Sequence, residues 1–191
     1  MSDTPKDRLR KLLATRSFRV GEFVLASGRS SPYYVDVRRT TLLPEGMALT
    51  GSVVLETLEE AGWEPEAVGG LTMGADPIAY ATALRSWDAG RPIHAFTVRK
   101  EAKDHGAGGK VEGEVQAGTV VVIVEDTLTT GGSALKAVGA LREVGATILG
   151  ILTLVDREEG GRQALEKEGL TVQAVFTARE LAKARASIQE A

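Results

Sequence analysis

The chain has 191 residues, enough to bury one good core, so we predict a single domain over residues 1–191. Its composition, 43% hydrophobic and 26% charged, is ordinary for a globular protein, and a formal net charge of −3 argues against general nucleic-acid binding. The sequence has no Cys and two His, which excludes disulfides, thiolate metal sites and a multi-histidine centre. Any divalent cation is therefore expected to arrive with a phosphorylated ligand and to be held by oxygen atoms.

The pattern of hydropathy argues against a membrane protein. No apolar run approaches the length that spans a bilayer, and the charged amino terminus SDTPKDRLRK lacks the apolar core of a signal peptide. We therefore expect a cytoplasmic protein with no membrane partner.

The first forty residues do not follow the pattern of the rest of the chain. Pro5 begins a predicted amphipathic helix, and residues 18–38 read as short strands broken at 27–28 and again at 30–32. A helix is predicted from Pro44 to about residue 61. We expect residues 1–40 to form an amino-terminal helix and a small hood beside the carboxyl edge of a sheet.

From residue 67 onward, predicted strands and helices alternate. Apolar runs rich in Val and Ile are followed by amphipathic segments, ending with a helix over residues 177–190. Such alternation predicts right-handed strand–helix–strand units. The fold class is therefore α/β, a doubly wound, mostly parallel sheet flanked by helices.

The most informative segment is VVVIVEDTLTTGGS, residues 120–133. A buried-strand run leads into Glu125 and Asp126, which we expect where the strand emerges at the carboxyl edge of the sheet, and then into small residues that open a helix. Backbone N–H groups of such a loop, with the helix dipole, can bind an anion, and the carboxylates suit sugar hydroxyls or Mg²⁺. A phosphorylated ribose carries both kinds of group.

The alternative is an ordinary strand–turn–helix with a Ser N-cap. The full string ED-x-x-TTGGS favours the binding site, because it resembles the signature of type I phosphoribosyltransferases for phosphoribosyl pyrophosphate (PRPP). No P-loop motif and no Gly-x-Gly-x-x-Gly after a strand occurs, which argues against a P-loop NTPase and a dinucleotide fold.

A charged, glycine-rich segment, RKEAKDHGAGGK at residues 99–110, precedes that strand. It holds four cations against two carboxylates, and its glycines favour a mobile loop over about residues 99–114. On charge alone a solvated hairpin tip is the favoured interpretation, because Glu112 and Glu114 cancel the surplus just downstream. Its residue order, however, resembles the catalytic loop of orotate phosphoribosyltransferases, R-K-x-x-K-x-H-G.

A third block, FVLASGRSSPYYVDVR at residues 23–38, resembles the amino-terminal motif of the same family. By itself the pair Tyr33 and Tyr34 would be assigned to core packing. Three blocks in the family's order identify the chain as a type I phosphoribosyltransferase that resembles the orotate enzymes.

The resemblance implies the site residue by residue. The acidic pair would contact the ribose hydroxyls, and the small loop would hold the 5′-phosphate. The PRPP-binding residues so implied are Glu125, Asp126, Thr127, Leu128, Thr129, Thr130, Gly131, Gly132 and Ser133. The orotate-binding residues so implied are Thr129, Arg157, Tyr33 and Tyr34. From its sequence position alone, Arg157 would be given an ion pair with Glu158 or Glu159 at the surface.

The resemblance also implies how pyrophosphate is handled. The catalytic residues would be Arg99, Lys100, Lys103 and His105, and the pyrophosphate loop would contain Thr72, Met73 and Gly74. The family fold implies a homodimer in which the 99–110 loop reaches the partner's active site. Mg²⁺ would be held mainly through PRPP, with Asp126 a further ligand.

Two positions depart from members of the family that carry lysines. Ala26 and Met73 stand where those members have cations that contact phosphate. Arg29 and Arg38 are candidates to compensate, and Asp76 is expected to cap the helix that follows it.

The expected reaction transfers the ribose 5-phosphate group of PRPP to N1 of orotate, giving orotidine 5′-monophosphate and pyrophosphate in pyrimidine (UMP) synthesis. Two alternatives remain open: a type I phosphoribosyltransferase for a purine or uracil, and a non-catalytic regulator that binds PRPP.

Overall fold

The computed structural model of the chain describes residues 3–24, 30–101 and 109–190. Its main element is a six-stranded sheet with the strand order β5-β4-β3-β6-β7-β8. The strands are β3 (Ala67–Leu71), β4 (His94–Val98), β5 (Val111–Glu112), β6 (Val120–Leu128), β7 (Thr147–Asp156) and β8 (Val172–Thr177). All neighbours pair in parallel except β5, which runs antiparallel to β4. The predicted doubly wound, mostly parallel α/β fold is confirmed.

Helices cover both faces of this sheet. They are α1 (Pro5–Leu12), α2 (Arg38–Thr41), α3 (Pro44–Glu60), α4 (Asp76–Asp88), α5 (Gly132–Val144), α6 (Gly161–Lys167) and α7 (Ala178–Gln189). Side chains of β6 alternate between two cores: Val122 and Val124 pack with α1, α3, α4 and α7, whereas Val121 and Ile123 pack with α5 and α6. A central strand buried on both faces explains the unbroken Val/Ile run in the sequence.

The amino-terminal helix forms as predicted but belongs to the main body. Thr4 and Asp7 make a capping box, and the helix continues as a π-helical turn, Leu13–Ser17. Leu9 and Leu13 are fully buried in the larger core. The hood is therefore limited to the strand pair that follows this turn.

The hood is a two-stranded antiparallel sheet of β1 (Phe18–Val24) and β2 (Ser30–Val35). The predicted break at residues 30–32 is wrong, because all three lie in β2. Pro32 is accommodated opposite a register shift between Val20 and Phe23, where no ladder hydrogen bond is required of it.

The topology brings several loops to one edge of the sheet. Leu71 pairs with Val98, and Leu128 pairs with Asp156, so the carboxyl ends of β3, β4, β6 and β7 lie side by side. Loops that follow these four strands must meet there. In the parts of the chain that the structure describes, no helix is long and apolar enough to cross a membrane.

Candidate active site

The acidic pair lies near the carboxyl end of β6. Both residues belong to the strand, as predicted, and the strand runs two residues further, to Leu128. Glu125 is only 8% exposed. A Cβ atom at Gly74 would stand 2.7 Å from the carboxyl carbon of Asp126, so the loop after β3 lies directly against this carboxyl group.

The environment of the pair favours its protonated forms. Burial, followed by the charge of Asp126 and a hydrogen bond with it, raises the pKa of Glu125 to about 8. Burial also raises the pKa of Asp126, although the Thr127 N–H, 2.7 Å from Oδ1, and the charge of Arg38 oppose it. A buried and a half-buried carboxyl group with few hydrogen-bond donors suit a ligand that brings hydroxyls or a cation.

The small-residue loop after β6 provides donors for an anion. Gly131, with a φ of 84°, is the N-cap of α5, and no side chain caps the helix, so the Ser N-cap alternative is wrong. The first N–H groups of α5 therefore have no side-chain acceptor, and Thr130, Gly132 and Ser133 are exposed around them. A Cβ at Gly161 would lie 2.7 Å from the Thr129 carbonyl oxygen, so α6 supports the loop closely.

Arg157 is buried in this region. Its backbone N–H donates to the carbonyl of Leu128 at 2.9 Å, which places Arg157 close to Thr129. Its side chain, 4% exposed, is 2.7 Å from the Glu159 carboxylate and donates to Ser31 Oγ at 3.1 Å. The ion pair with Glu159 thus exists, but it is buried instead of lying at the surface. Sequence reasoning missed Ser31, because nothing local links it to a residue 126 positions away.

The two hood tyrosines face different surroundings. Tyr33 stacks on Phe18 with 5.1 Å between the ring centroids. The Arg157 guanidinium lies over the Tyr33 ring, 4.8 Å from its centroid. The Tyr33 hydroxyl donates to the Arg157 carbonyl at 3.3 Å, and burial raises the pKa of Tyr33. Tyr34 is 38% exposed and packs against Phe23. Tyr33 therefore supports Arg157, whereas Tyr34 lies on the outer side of the hood.

The predicted pyrophosphate loop, Thr72 to Gly74, connects β3 to α4 and contains a cis peptide bond between Thr72 and Met73. Met73 is exposed. The expected capping role of Asp76 is wrong: Ala75 is the N-cap, and the Asp76 carboxylate instead accepts from the Thr72 hydroxyl at 2.7 Å. The local sequence could not reveal this contact, because it depends on how the loop folds back.

The charged segment is described at its two ends. The N–H of Arg99 donates to the Lys110 carbonyl at 2.8 Å, and its guanidinium is 3.3 Å from Glu112. The two ends thus form the base of a hairpin on β4 and β5. A cleft of 760 Å³ lies here, lined by Arg99, Lys100 and residues of the pyrophosphate loop. Lys103 and His105, predicted to be catalytic, lie outside the described residues, as do Ala26 and Arg29.

Arg38, the remaining candidate cation, lies at the start of α2. Its Nε is 2.9 Å from Asp36 Oδ1, and its side chain is 44% exposed. The hydrogen bond with Asp36 and the negative charge of Asp36 raise the pKa of Arg38, and the charge of Asp126 adds a smaller effect in the same direction. This mutual influence of Arg38 and Asp126 means that a positive charge lies near the acidic pair.

Comparison with known proteins decides the family. A model of the phosphoribosyl transferase domain matches residues 43–182. The orotate phosphoribosyltransferase of Aquifex aeolicus is 46% identical over 179 residues, which cover 92% of this chain and 97% of that protein. The chain belongs to the orotate phosphoribosyltransferase family. The family membership that the three sequence blocks suggested is thereby confirmed.

Solved orotate phosphoribosyltransferases share the fold. The Mycobacterium tuberculosis enzyme in complex with Fe(III) dicitrate is 44% identical and superposes with a TM-score of 0.82, covering 93% of this chain and 99% of the other. The same enzyme in complex with PRPP gives a TM-score of 0.78 at 42% identity and the same coverage. The purine, uracil and regulator alternatives are less well supported than the orotate assignment.

Proposed function

We propose that the protein transfers the ribose 5-phosphate group of PRPP to N1 of orotate, forming orotidine 5′-monophosphate and pyrophosphate in the de novo synthesis of UMP. The observation that carries this proposal is one edge of the sheet that combines an acidic pair, an uncapped helix N-terminus and a buried arginine. The choice of PRPP and orotate as substrates is supported by an orotate phosphoribosyltransferase that is 46% identical over 92% of this chain.

PRPP would bind at the end of β6. The carboxylates of Glu125 and Asp126 would accept hydrogen bonds from the ribose hydroxyls, and residues Thr127 to Ser133 would enclose the 5′-phosphate. The raised pKa of Glu125 supports this role, because ribose hydroxyls would supply donors that the pair lacks. The exposed N–H groups at the start of α5 support the second role, since their partial positive charge favours a phosphate dianion.

Orotate would bind between the hood and the loop after β7. Its carboxylate needs a cation, and Arg157 offers a guanidinium in a buried position. Within the described residues, Nη1 of Arg157 has no hydrogen-bond partner, so one donor is available without breaking the contact with Glu159. Thr129 adjoins it, and Tyr33 fixes the plane of the guanidinium.

The leaving pyrophosphate would lie over Thr72, Met73 and Gly74. Breaking the C1′–O bond leaves positive charge on the ribose and negative charge on pyrophosphate, so the protein must supply electrostatic complementarity instead of a nucleophile. Arg99, Lys100, Lys103 and His105 are proposed to provide it, with Arg38 in place of the cations absent at Ala26 and Met73.

Mg²⁺ fits the oxygen donors of this site. In the described parts of the chain no group of three or more His, Cys, Asp and Glu side chains could hold a metal, so PRPP oxygens would supply most ligands and Asp126 a further one. Bound there, Mg²⁺ would stabilise negative charge on the departing pyrophosphate. We further propose a cytoplasmic location without a nucleic-acid or membrane partner, since both substrates are charged small molecules.

The direct test follows orotate by its absorbance in the presence of PRPP and Mg²⁺. We expect orotate to be consumed only when PRPP is present, with one pyrophosphate released per orotate. Adenine, hypoxanthine and uracil serve as competing bases and should not be converted. Conversion of one of these in place of orotate would reassign the substrate, and binding of PRPP without turnover of any base would favour a regulator.

A homodimer is proposed from α4, which begins just after the pyrophosphate loop. Tyr80, Leu84 and Trp87 lie on one face of this helix and are 53%, 62% and 72% exposed. Three large apolar side chains at this spacing form a surface that a second copy can cover. A partner seated there would lie beside the cleft that contains Arg99 and Lys100, which suits a 99–110 loop shared across subunits.

Replacing Leu84 with Arg should convert the dimer to a monomer. A charge in the centre of an apolar contact would be buried without a partner, at a cost of several kcal/mol. Sedimentation velocity should then show one subunit, and activity should fall by at least tenfold if the loop acts in the partner's site. Ile188→Arg on α7, away from this face, is the matched control. A dimeric and fully active Leu84→Arg protein would place the interface elsewhere.

A further inference from the structure

A hydrogen-bonded cluster lies beneath the proposed pyrophosphate loop. Asp76, the first residue of α4, accepts from the Thr72 hydroxyl at 2.7 Å through Oδ2 and from the Thr97 hydroxyl at 3.0 Å through Oδ1. The hydroxyl of Tyr80 lies 3.1 Å from that of Thr97. One carboxylate therefore bridges Thr72, in the loop after β3, and Thr97, in β4, which are 25 residues apart in the sequence.

The two threonines lie at points that matter for the proposed reaction. Thr72 is the first residue after β3, and its N–H donates to the Val98 carbonyl at 2.8 Å. Thr97 is the penultimate residue of β4, two residues before Arg99, and pairs with Glu112 of β5. The bridge thus joins the loop that would bind pyrophosphate to the base of the segment that would close over it.

An unpaired carboxylate would be unfavourable at this position. A negative charge facing pyrophosphate would repel it, but both oxygens of Asp76 are directed to hydroxyl donors. The N-terminal end of α4 provides further positive potential for the same carboxylate. Charge-assisted hydrogen bonds of this kind are stronger than neutral ones and fix geometry more closely.

We propose that Asp76 is a positioning residue, which holds the pyrophosphate loop and the base of the catalytic segment at a fixed separation by bridging Thr72 and Thr97. This inference rests on the proposed function of the site. Asp76 does not touch the reacting atoms; it acts through the two segments that it bridges. The side chains of both segments and of Asp76 line the same cleft of 760 Å³.

Asp76→Asn is the first test, because an amide keeps the size but has a single acceptor for two hydroxyl donors. We expect the dissociation constant of pyrophosphate, measured by calorimetry in the presence of Mg²⁺, to rise about tenfold, and kcat to fall by a similar factor. The KM for orotate and the melting temperature should change little. Asp88→Asn, at the exposed end of the same helix, is the matched control and should leave all four quantities unchanged.

Single-hydroxyl variants separate the two halves of the bridge. Thr72→Val should weaken pyrophosphate binding, and Thr97→Val should lower kcat. Either substitution should have little further effect in the Asp76→Asn protein, because the bridge that it would remove is already broken. Full kcat in Thr97→Val would overturn the link to the catalytic segment. If Asp76→Asn raised the KM for orotate as much as the dissociation constant of pyrophosphate, or strongly lowered the melting temperature, Asp76 would have only a general structural role.

The binding measurements do not require orotate turnover. Wild-type protein that binds pyrophosphate but does not convert orotate would contradict the proposed substrate, whereas the effects of Asp76→Asn on pyrophosphate binding would still stand. Unchanged pyrophosphate binding in Asp76→Asn, with active wild-type protein, would contradict the positioning role alone.

Discussion

Replacing Arg157 with Ala is expected to raise the KM for orotate about 100-fold while changing the KM for PRPP by less than threefold. The guanidinium is 4% exposed, so a carboxylate bound to it is shielded from water, and losing such a contact costs roughly 3 kcal/mol. Arg157→Lys should give an intermediate value, since it keeps the charge but loses the planar fork. Steady-state kinetics with each substrate varied in turn measures both constants.

The controls for this prediction separate recognition from folding. Glu159→Gln breaks the buried ion pair but retains the guanidinium, so it should affect the orotate KM far less than Arg157→Ala. Arg179→Ala removes an exposed cation that pairs with Glu158 and should have no effect. Equal losses for orotate and PRPP in Arg157→Ala would indicate a distorted site instead of a lost orotate contact.

Replacing Glu125 with Gln and Asp126 with Asn is expected to abolish PRPP binding and yet stabilise the free protein at pH 9. Folding raises the pKa of Glu125 from its ordinary 4.5 to about 8, so the folded state holds this proton more tightly than the unfolded state. The contribution of Glu125 to the free energy of unfolding therefore falls as pH rises from about 4.5 and is lowest above about 8. The amides remove this dependence and should stabilise by about 2 to 4 kcal/mol.

Three measurements check that prediction. Urea unfolding between pH 6 and 9 should show a declining stability for the wild type and a flatter profile for the double variant. Calorimetry in buffers of different ionisation enthalpy should show that PRPP binding to the wild type releases protons below pH 8, because the ligand favours the ionised pair. Glu143→Gln, an exposed carboxyl on α5, is the control. Undiminished PRPP binding by the double variant would remove the acidic pair from the site.

Much of the fold follows from local patterns. The Val/Ile run of β6, the small residues that end at Ser133 and the amphipathic α5 are contiguous, so strand, loop and helix could be assigned before any tertiary contact was known. The strand–helix alternation then fixed the parallel sheet through the handedness of its connections. Errors arose where the pattern was short, as in β5 with two residues, or where the tertiary setting overrode the local signal, as at Pro32.

By itself the sequence determined which chemical groups reach one edge of the sheet. Strand ends, turn residues and the family blocks are short contiguous segments, so they can be identified without any tertiary contact. Only the tertiary structure decided how those groups are held: Ser31 against Arg157, Asp76 between Thr72 and Thr97, and Gly74 against Asp126. The physical reason is that contact and burial depend on elements far apart in the chain. The raised pKa of Glu125, like the burial of Arg157, arises only when those elements have packed and excluded water.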